Sequence, residues 1–154
     1  MIGISACLGG SCCRYDGKHQ EVSSLKKRLE QNQAIRVCPE VLGGLPIPRD
    51  PAEISGGNGF DVWQGTAQVI TNQGEDVTDM FKEGAKRAYE KLQAQGITHL
   101  VLKDKSPSCG SQVIYDGTFS GTKVQGIAVA TAYFLLQGMT VQSEVQWLAQ
   151  QGGE

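Results

Sequence analysis

Apolar residues run along this chain in two rhythms. Short continuous runs, Ile2-Gly3-Ile4, Ala34-Ile35-Arg36-Val37 and Ile97 to Leu102, are too short for helices and suit strands buried on both faces. Between them lie longer stretches whose apolar positions recur every three or four residues. Val22, Leu25 and Leu29 predict a helix over 21–31, with Lys26, Lys27, Arg28 and Glu30 on its wet side. Val77, Phe81, Ala85, Ala88, Tyr89 and Leu92 predict a second over 76–95, opened by Asp76 with Asp79 three later and closed by Gly96. Val124, Ile127, Ala128 and Leu135 predict a third over 122–137 that stops at Gly138. Thr131 falls on the same face, its hydroxyl directed at a carbonyl one turn earlier. A short strand over 139–141 follows. Ser143 then caps a last helix with Val145, Trp147 and Leu148 inward, and the tail after Gln150 frays.

Other stretches keep neither rhythm. Residues 41–58 are punctuated by glycine and proline and read as a long loop, the kind that serves as a lid or binding loop. Arg49 and Asp50 within it are read mainly as surface residues, with substrate contact the other role open to them. Residues 60–69 read as a small hairpin or extended flap turned at Thr71-Asn72-Gln73-Gly74, with Trp63, Ala67, Val69 and Ile70 as its apolar face. Gln112 to Tyr115 is a short strand ended by Asp116-Gly117. The alternation predicts a compact three-layer Rossmann-like α/β sandwich, with a mainly parallel sheet of about four strands and a small extended flap. At 154 residues it is expected to be a single domain over 1–154.

Composition narrows the partners. The formal net charge is -2, from 14 basic and 16 acidic residues, which leaves no electrostatic footprint for a nucleic-acid polymer. No apolar run approaches membrane-span length, and Met1-Ile2-Gly3 enters a strand with no signal segment before it, so the expected location is cytoplasmic. In such a reducing compartment five cysteines read as metal ligands or reactive thiols before disulfides.

Three of these cysteines follow strands. Cys7 comes just after the first, Cys38 just after the second, and Cys109 after the turn Lys103-Asp104-Lys105-Ser106-Pro107-Ser108. Ligands in open α/β sheets bind beyond the carboxyl ends of the strands, so one core can bring all three to one point. Their separation matches no zinc-finger or ferredoxin run. The positions fit a [4Fe-4S] cluster with one iron lacking a protein ligand, and buried structural cysteines account for them equally well. Cys12 and Cys13 are adjacent, so at most one would join such a site. Glu40, two residues past Cys38 across the rigid Pro39, is placed to shuttle a proton at an open iron, or else is a helix-capping carboxylate. Ser106 and Ser108 either orient a ligand or hold the turn. Lys103 and Lys105 either balance cluster charge or face solvent. Arg14, Tyr15 and Asp16 are polar enough to line a pocket. His19 and His99 form no ligand pattern, and no serine–histidine–acid set is present.

Several of these stretches resemble the motifs of one known family. They are Ile4-Ser5-Ala6-Cys7-Leu8-Gly9, Cys13-Arg14-Tyr15-Asp16-Gly17, Val37-Cys38-Pro39-Glu40, Gly74-Glu75-Asp76-Val77-Thr78 and Lys105-Ser106-Pro107-Ser108-Cys109-Gly110. The family is the small bacterial one, formerly of unknown function, that includes the iron–sulfur-dependent thiouracil desulfurases. The likeness covers nearly the whole chain. One departure is Leu8-Gly9-Gly10, where the family often has Leu-Leu-Gly, and it leaves the ligand position unchanged.

The resemblance implies an enzyme of sulfur metabolism with a [4Fe-4S] cluster on Cys7, Cys38 and Cys109. It implies Glu40 as catalytic acid/base and Ser106 as a group that helps bind substrate or water. Ser108, Arg14, Tyr15 and Asp16 are the further substrate-binding candidates. The expected reaction is non-redox hydrolytic removal of sulfur from a thiolated base or nucleoside resembling 2-thiouracil, giving the oxo base and sulfide. The alternatives are a redox or regulatory iron–sulfur protein with Cys12 or Cys13 as fourth ligand, a zinc or persulfide sulfur-transfer protein, and a catalytically silent module that binds thiolated bases.

Overall fold

The computed structural model describes residues 1–150, so the expected fraying after Gln150 lies outside the described residues. Four parallel strands form the central sheet: β1 (Ile2–Ser5), β2 (Ala34–Val37), β5 (His99–Leu102) and β8 (Thr140–Ser143). Their spatial order is β2-β1-β5-β8, so the chain reverses direction across the sheet between β1 and β5. Such a switch point opens a crevice at the carboxyl ends of the two strands.

Strand side chains alternate between two helical layers. On one face Ile2, Ile4, Ala34 and Val101 pack with Leu25 of α1 (Ser23–Glu30) and Trp147 of α6 (Glu144–Gln150). On the other, Val37, Leu100 and Leu102 pack with Ala85, Ala88 and Leu92 of α4 (Thr78–Ala94) and Ala130 and Phe134 of α5 (Val129–Leu136). This is the three-layer sandwich expected from the alternating pattern. Gly3 belongs to the second face, where an added Cβ would meet Leu92 and Leu100 at 2.5 and 2.6 Å. Asp76 accepts the Thr78 N–H at 2.9 Å at the head of α4, and Gly96 closes that helix with a φ of 70°.

The region expected to be loop and flap is better organised. Residues 39–42 form a short helix, α2 (Pro39–Leu42), and β3 (Ala52–Ser55) pairs antiparallel with β4 (Gln68–Thr71). Between those strands stands a helix, α3 (Gly59–Gln64), where an extended segment is expected. Asn58 explains it: its side chain accepts from Phe60 and Asp61, and the Asp61 carboxylate takes the Asn58 N–H at 2.8 Å. Gly65 ends the helix with a φ of 86°. Its core of Ile54, Val62, Val69, Phe81 and Ile114 is separate from the two sheet faces.

The expected helix over 122–137 begins later, at Val129. Residues 123–125 instead form β7 (Lys123–Gln125), paired with β6 (Val113–Tyr115). Val124 is therefore exposed rather than inward, and Leu135, in the last turn of α5, is exposed as well. The pairing satisfies backbone groups that an added helical turn would otherwise use, and Gly126 fits tightly beneath Ile114. The Thr131 hydroxyl bonds the Cys109 carbonyl at 2.9 Å, not one a turn earlier. The last strand is shifted to 140–143, and Val145 faces outward because Trp147 and Leu148 take the buried side of α6. Ser143 caps α6 as expected, accepting the Gln146 N–H at 3.1 Å, and the Gln146 side chain accepts the Ser143 N–H in return at 2.9 Å. No helix among the described residues is long and apolar enough to cross a membrane.

Candidate active site

Beyond the carboxyl ends of β1, β2 and β5 lies a cavity of about 340 Å³, within the size range of small-molecule clefts. Each strand delivers a cysteine to its wall. β1 runs into a single 3-10 turn, Ala6–Gly9, that carries Cys7 and ends at Gly10 with a φ of 95°. Gly9, the departure from the usual motif, leaves room there for the Leu29 side chain of α1. β2 runs into Cys38, the residue capping α2, and Pro39 starts the helix with Glu40 in its first turn. The turn after β5 carries Cys109 in a frame of side-chain bonds. Asp104 accepts the N–H groups of Ser111, Gln112 and Val113, and Ser106 Oγ accepts those of Ser108 and Cys109 at 3.1 and 3.0 Å. The first turn of α5 binds the carbonyls of Pro107 and Ser108 at 3.0 and 2.8 Å.

A fourth thiol joins these three. Cys13 lines the cavity and is buried, whereas its neighbour Cys12 is exposed. The Cys13 thiol interacts with those of Cys38 and Cys7. Cys38 favours the Cys13 thiolate, but contact with Cys7 and burial outweigh it and push Cys13 up to about 11. Contact with Cys13, then burial, drives the Cys38 thiol far above the usual thiol range. Burial pushes Cys109 up to about 12, against the hydroxyls of Ser108 and Ser5, which favour its thiolate. No cysteine among the described residues is in a disulfide. Also among them, no group of three or more His, Cys, Asp or Glu side chains is gathered as ligands of a metal ion.

Glu40 is held at both carboxylate oxygens. Oε2 accepts from Ser108 Oγ at 2.7 Å, which lies 2.9 Å from Ser106 Oγ, and Oε1 pairs with Arg49 Nε at 3.1 Å. Arg49 is the residue underestimated by sequence reasoning. Its side chain is only 6 % exposed, and it also donates to the carbonyls of Cys13 and Pro46 at 3.0 and 3.1 Å. It ties the Pro-rich loop to both Glu40 and the Cys13 turn. The Arg49 N–H further binds the Tyr15 carbonyl at 2.7 Å. Ser5 is a second such residue: buried, it accepts the Lys103 N–H at 2.9 Å beside Cys109. The signals available were an arginine and an acid flanking Pro-rich turns, and a serine at a strand end. Neither is distinctive in the sequence alone.

Cys7, Cys38, Cys109, Glu40, Ser106, Ser108, Arg14 and Tyr15 all line the cavity. Asp16 does not. It pairs with Arg14 at 3.6 Å and takes the Lys18 N–H at 2.9 Å. Both lysines of the turn line the cavity, and Lys103 also pairs with Glu144 at 3.4 Å.

Fold and site together define a parallel α/β sandwich with a thiol-lined cavity, and an anchored carboxylate within it, at the switch point of the sheet. The family model for 2-thiouracil desulfurase matches residues 2–146, and the chain belongs to that family. It is 46 % identical over 144 residues to the uncharacterized protein YbbK of Bacillus subtilis (strain 168), covering 94 % of this chain and 95 % of that protein. Its fold is similar to the solved structure of the [4Fe-4S]-dependent thiouracil desulfidase TudS. The TM-score is 0.83 at 41 % identity, over 94 % of this chain and 91 % of that one. These relations support a desulfurase-type enzyme.

Proposed function

We propose that the protein removes sulfur from a small thiolated base or nucleoside resembling 2-thiouracil, with a [4Fe-4S] cluster held by Cys7, Cys38 and Cys109. The observation that carries this reading is the convergence of three strand-end cysteines and the Glu40 carboxylate on one cavity. The chemistry of the donors suits the group: the cysteines that follow three separate strands put soft thiols on the wall of one cavity, the ligand type that iron–sulfur clusters take. When bound, such a cluster with one iron free of protein ligands supplies a Lewis acid for a thiocarbonyl sulfur. The balance is hydrolytic: C=S and water become C=O and hydrogen sulfide, with no net transfer of electrons.

The chain's own residues handle the water and the proton. Arg49 and Ser108 fix Glu40 so that its carboxylate faces the cavity wall beside Cys38. There Glu40 takes a proton from the attacking water and returns it to the departing sulfur. Ser106, bonded to Ser108, steadies that relay and helps bind substrate or water. Arg14 and Tyr15 contribute to the substrate wall, and Asp16 acts through Arg14.

Iron and acid-labile sulfide on protein purified without oxygen, followed by sulfide release from 2-thiouracil, test the reading. Glu40→Gln is expected to keep the iron and lose turnover by roughly 100-fold or more, whereas Cys109→Ala loses both. Full turnover in Glu40→Gln would remove the acid/base role. The buried Cys13 thiol in the same cavity favours one other reading, a redox or regulatory cluster with four cysteine ligands. Electron paramagnetic resonance separates the two: added 2-thiouracil perturbs a cluster with an open iron and leaves a four-cysteine cluster unchanged.

A further inference from the structure

Among the described residues, three other than glycine hold left-handed backbone: Asn32, Lys105 and Phe119, with φ of 56°, 71° and 56°. Asn32 follows the end of α1, where asparagine is at home. The other two line the cavity. A bulky side chain such as phenylalanine rarely adopts this conformation unless its surroundings impose it. Around Phe119 they do. The Glu53 carboxylate on β3 accepts the N–H groups of Gly117 and Phe119 at 2.9 and 3.2 Å. Asp116 accepts the Thr118 N–H at 3.0 Å, and the hydroxyls of Thr118, Ser120 and Thr122 form a chain of 2.6 and 2.8 Å links.

All this holds a phenylalanine that is 39 % exposed, whereas Phe81 and Phe134 are buried in the core. The β6–β7 loop thus fixes an aromatic face at the cavity instead of burying it. Tyr15 and Tyr115 line the same cavity.

We propose that Phe119 is the face on which the heterocyclic ring of the substrate stacks. The proposal rests on the desulfurase reading and adds a residue that selects flat, aromatic thiolated rings over open-chain thioamides. Stacking suits this task because it orients the ring plane while leaving its edge free for Glu40 and the serines.

The test uses iron-loaded protein purified without oxygen and two probes, 2-thiouracil for turnover and uracil for equilibrium binding. Phe119→Ala and Phe119→Leu are expected to raise the 2-thiouracil KM and the uracil Kd roughly tenfold or more, with kcat and iron content held. Phe119→Tyr is expected to stay within about twofold of the parent protein. A Leu variant that binds uracil as tightly as the parent would overturn the proposal, because an apolar plug would then suffice. A fall in kcat or iron content with KM and Kd unchanged would overturn it too. A parent that releases no sulfide but binds uracil, and loses that binding in the Ala variant, supports the stacking face and overturns the desulfurase reading. A parent that binds neither ring overturns both.

Discussion

Arg49 shows how one side chain can hold a site together. It is nearly buried, and its guanidinium meets one carboxylate oxygen and two carbonyls from separate turns. A planar fork can satisfy all three, and a lysine ammonium at the same position cannot reach them in that geometry. Arg49→Met would leave the largely buried Glu40 without its cation. We expect it to lower stability by roughly 3 kcal/mol, read from denaturant unfolding, and to lower turnover as well. Arg49→Lys should recover only part of either. An Arg49→Met protein as stable as its parent would show that Glu40 needs no charged partner. Arg49 was hard to see in the sequence because an arginine in a loop is usually a solvated one, and only the fold brings residues 40, 13 and 46 around it.

Among the elements, α2 matters most for the site because it carries Glu40, and it is only a single turn. Its position depends on contact with α4. Gly84 of α4 lies against the Pro39 carbonyl, and Gly43 lies against the Met80 carbonyl, so the two backbones touch without side chains between them. Glycine costs a helix interior some stability, and here that cost permits the approach. Gly84→Ala would improve helix propensity and still is expected to destabilise, by about 1–3 kcal/mol, because the added methyl meets backbone. Turnover should fall with it as Glu40 is pushed from Ser108. A higher melting temperature with full activity would mean that α2 is free to shift. The elements also show where local pattern succeeds and fails. α4 was legible because its stripe runs over several turns. α3 is not legible as a period although Asn58, Asp61 and Gly65 spell its start and stop, since a six-residue helix carries too few apolar positions to register as one. The start of α5 lies later than the local pattern predicts because residues 123–125 pair with β6, a non-local contact that competes with helix.

For the whole molecule, the site draws on the ends of three strands and on the loops beyond them. A group bound by Cys7, Cys38 and Cys109 would therefore couple the sheet ends and stabilise the fold by linkage, since ligands that bind only the folded state add to its stability. Protein loaded with iron and sulfide without oxygen is expected to melt several degrees above the same protein stripped by a chelator. Equal melting temperatures, with iron content verified in the first sample, would show that the cysteines do not clamp the strands.

The sequence by itself determined the parallel strands, the two main packing helices and the appearance of a cysteine after each of three strands. These follow from local period and from apolar runs that only a doubly covered sheet can bury. It also carried the motifs on which the family resemblance rests. The tertiary structure alone decided that Cys13 rather than Cys12 faces the cavity, that Asp16 stands outside it, and that Arg49 is buried against Glu40. It alone decided that Phe119 is held open at the cavity. Which way an adjacent thiol points, or whether a loop arginine is wet or paired, depends on contacts between residues far apart in the chain, and no local pattern encodes those.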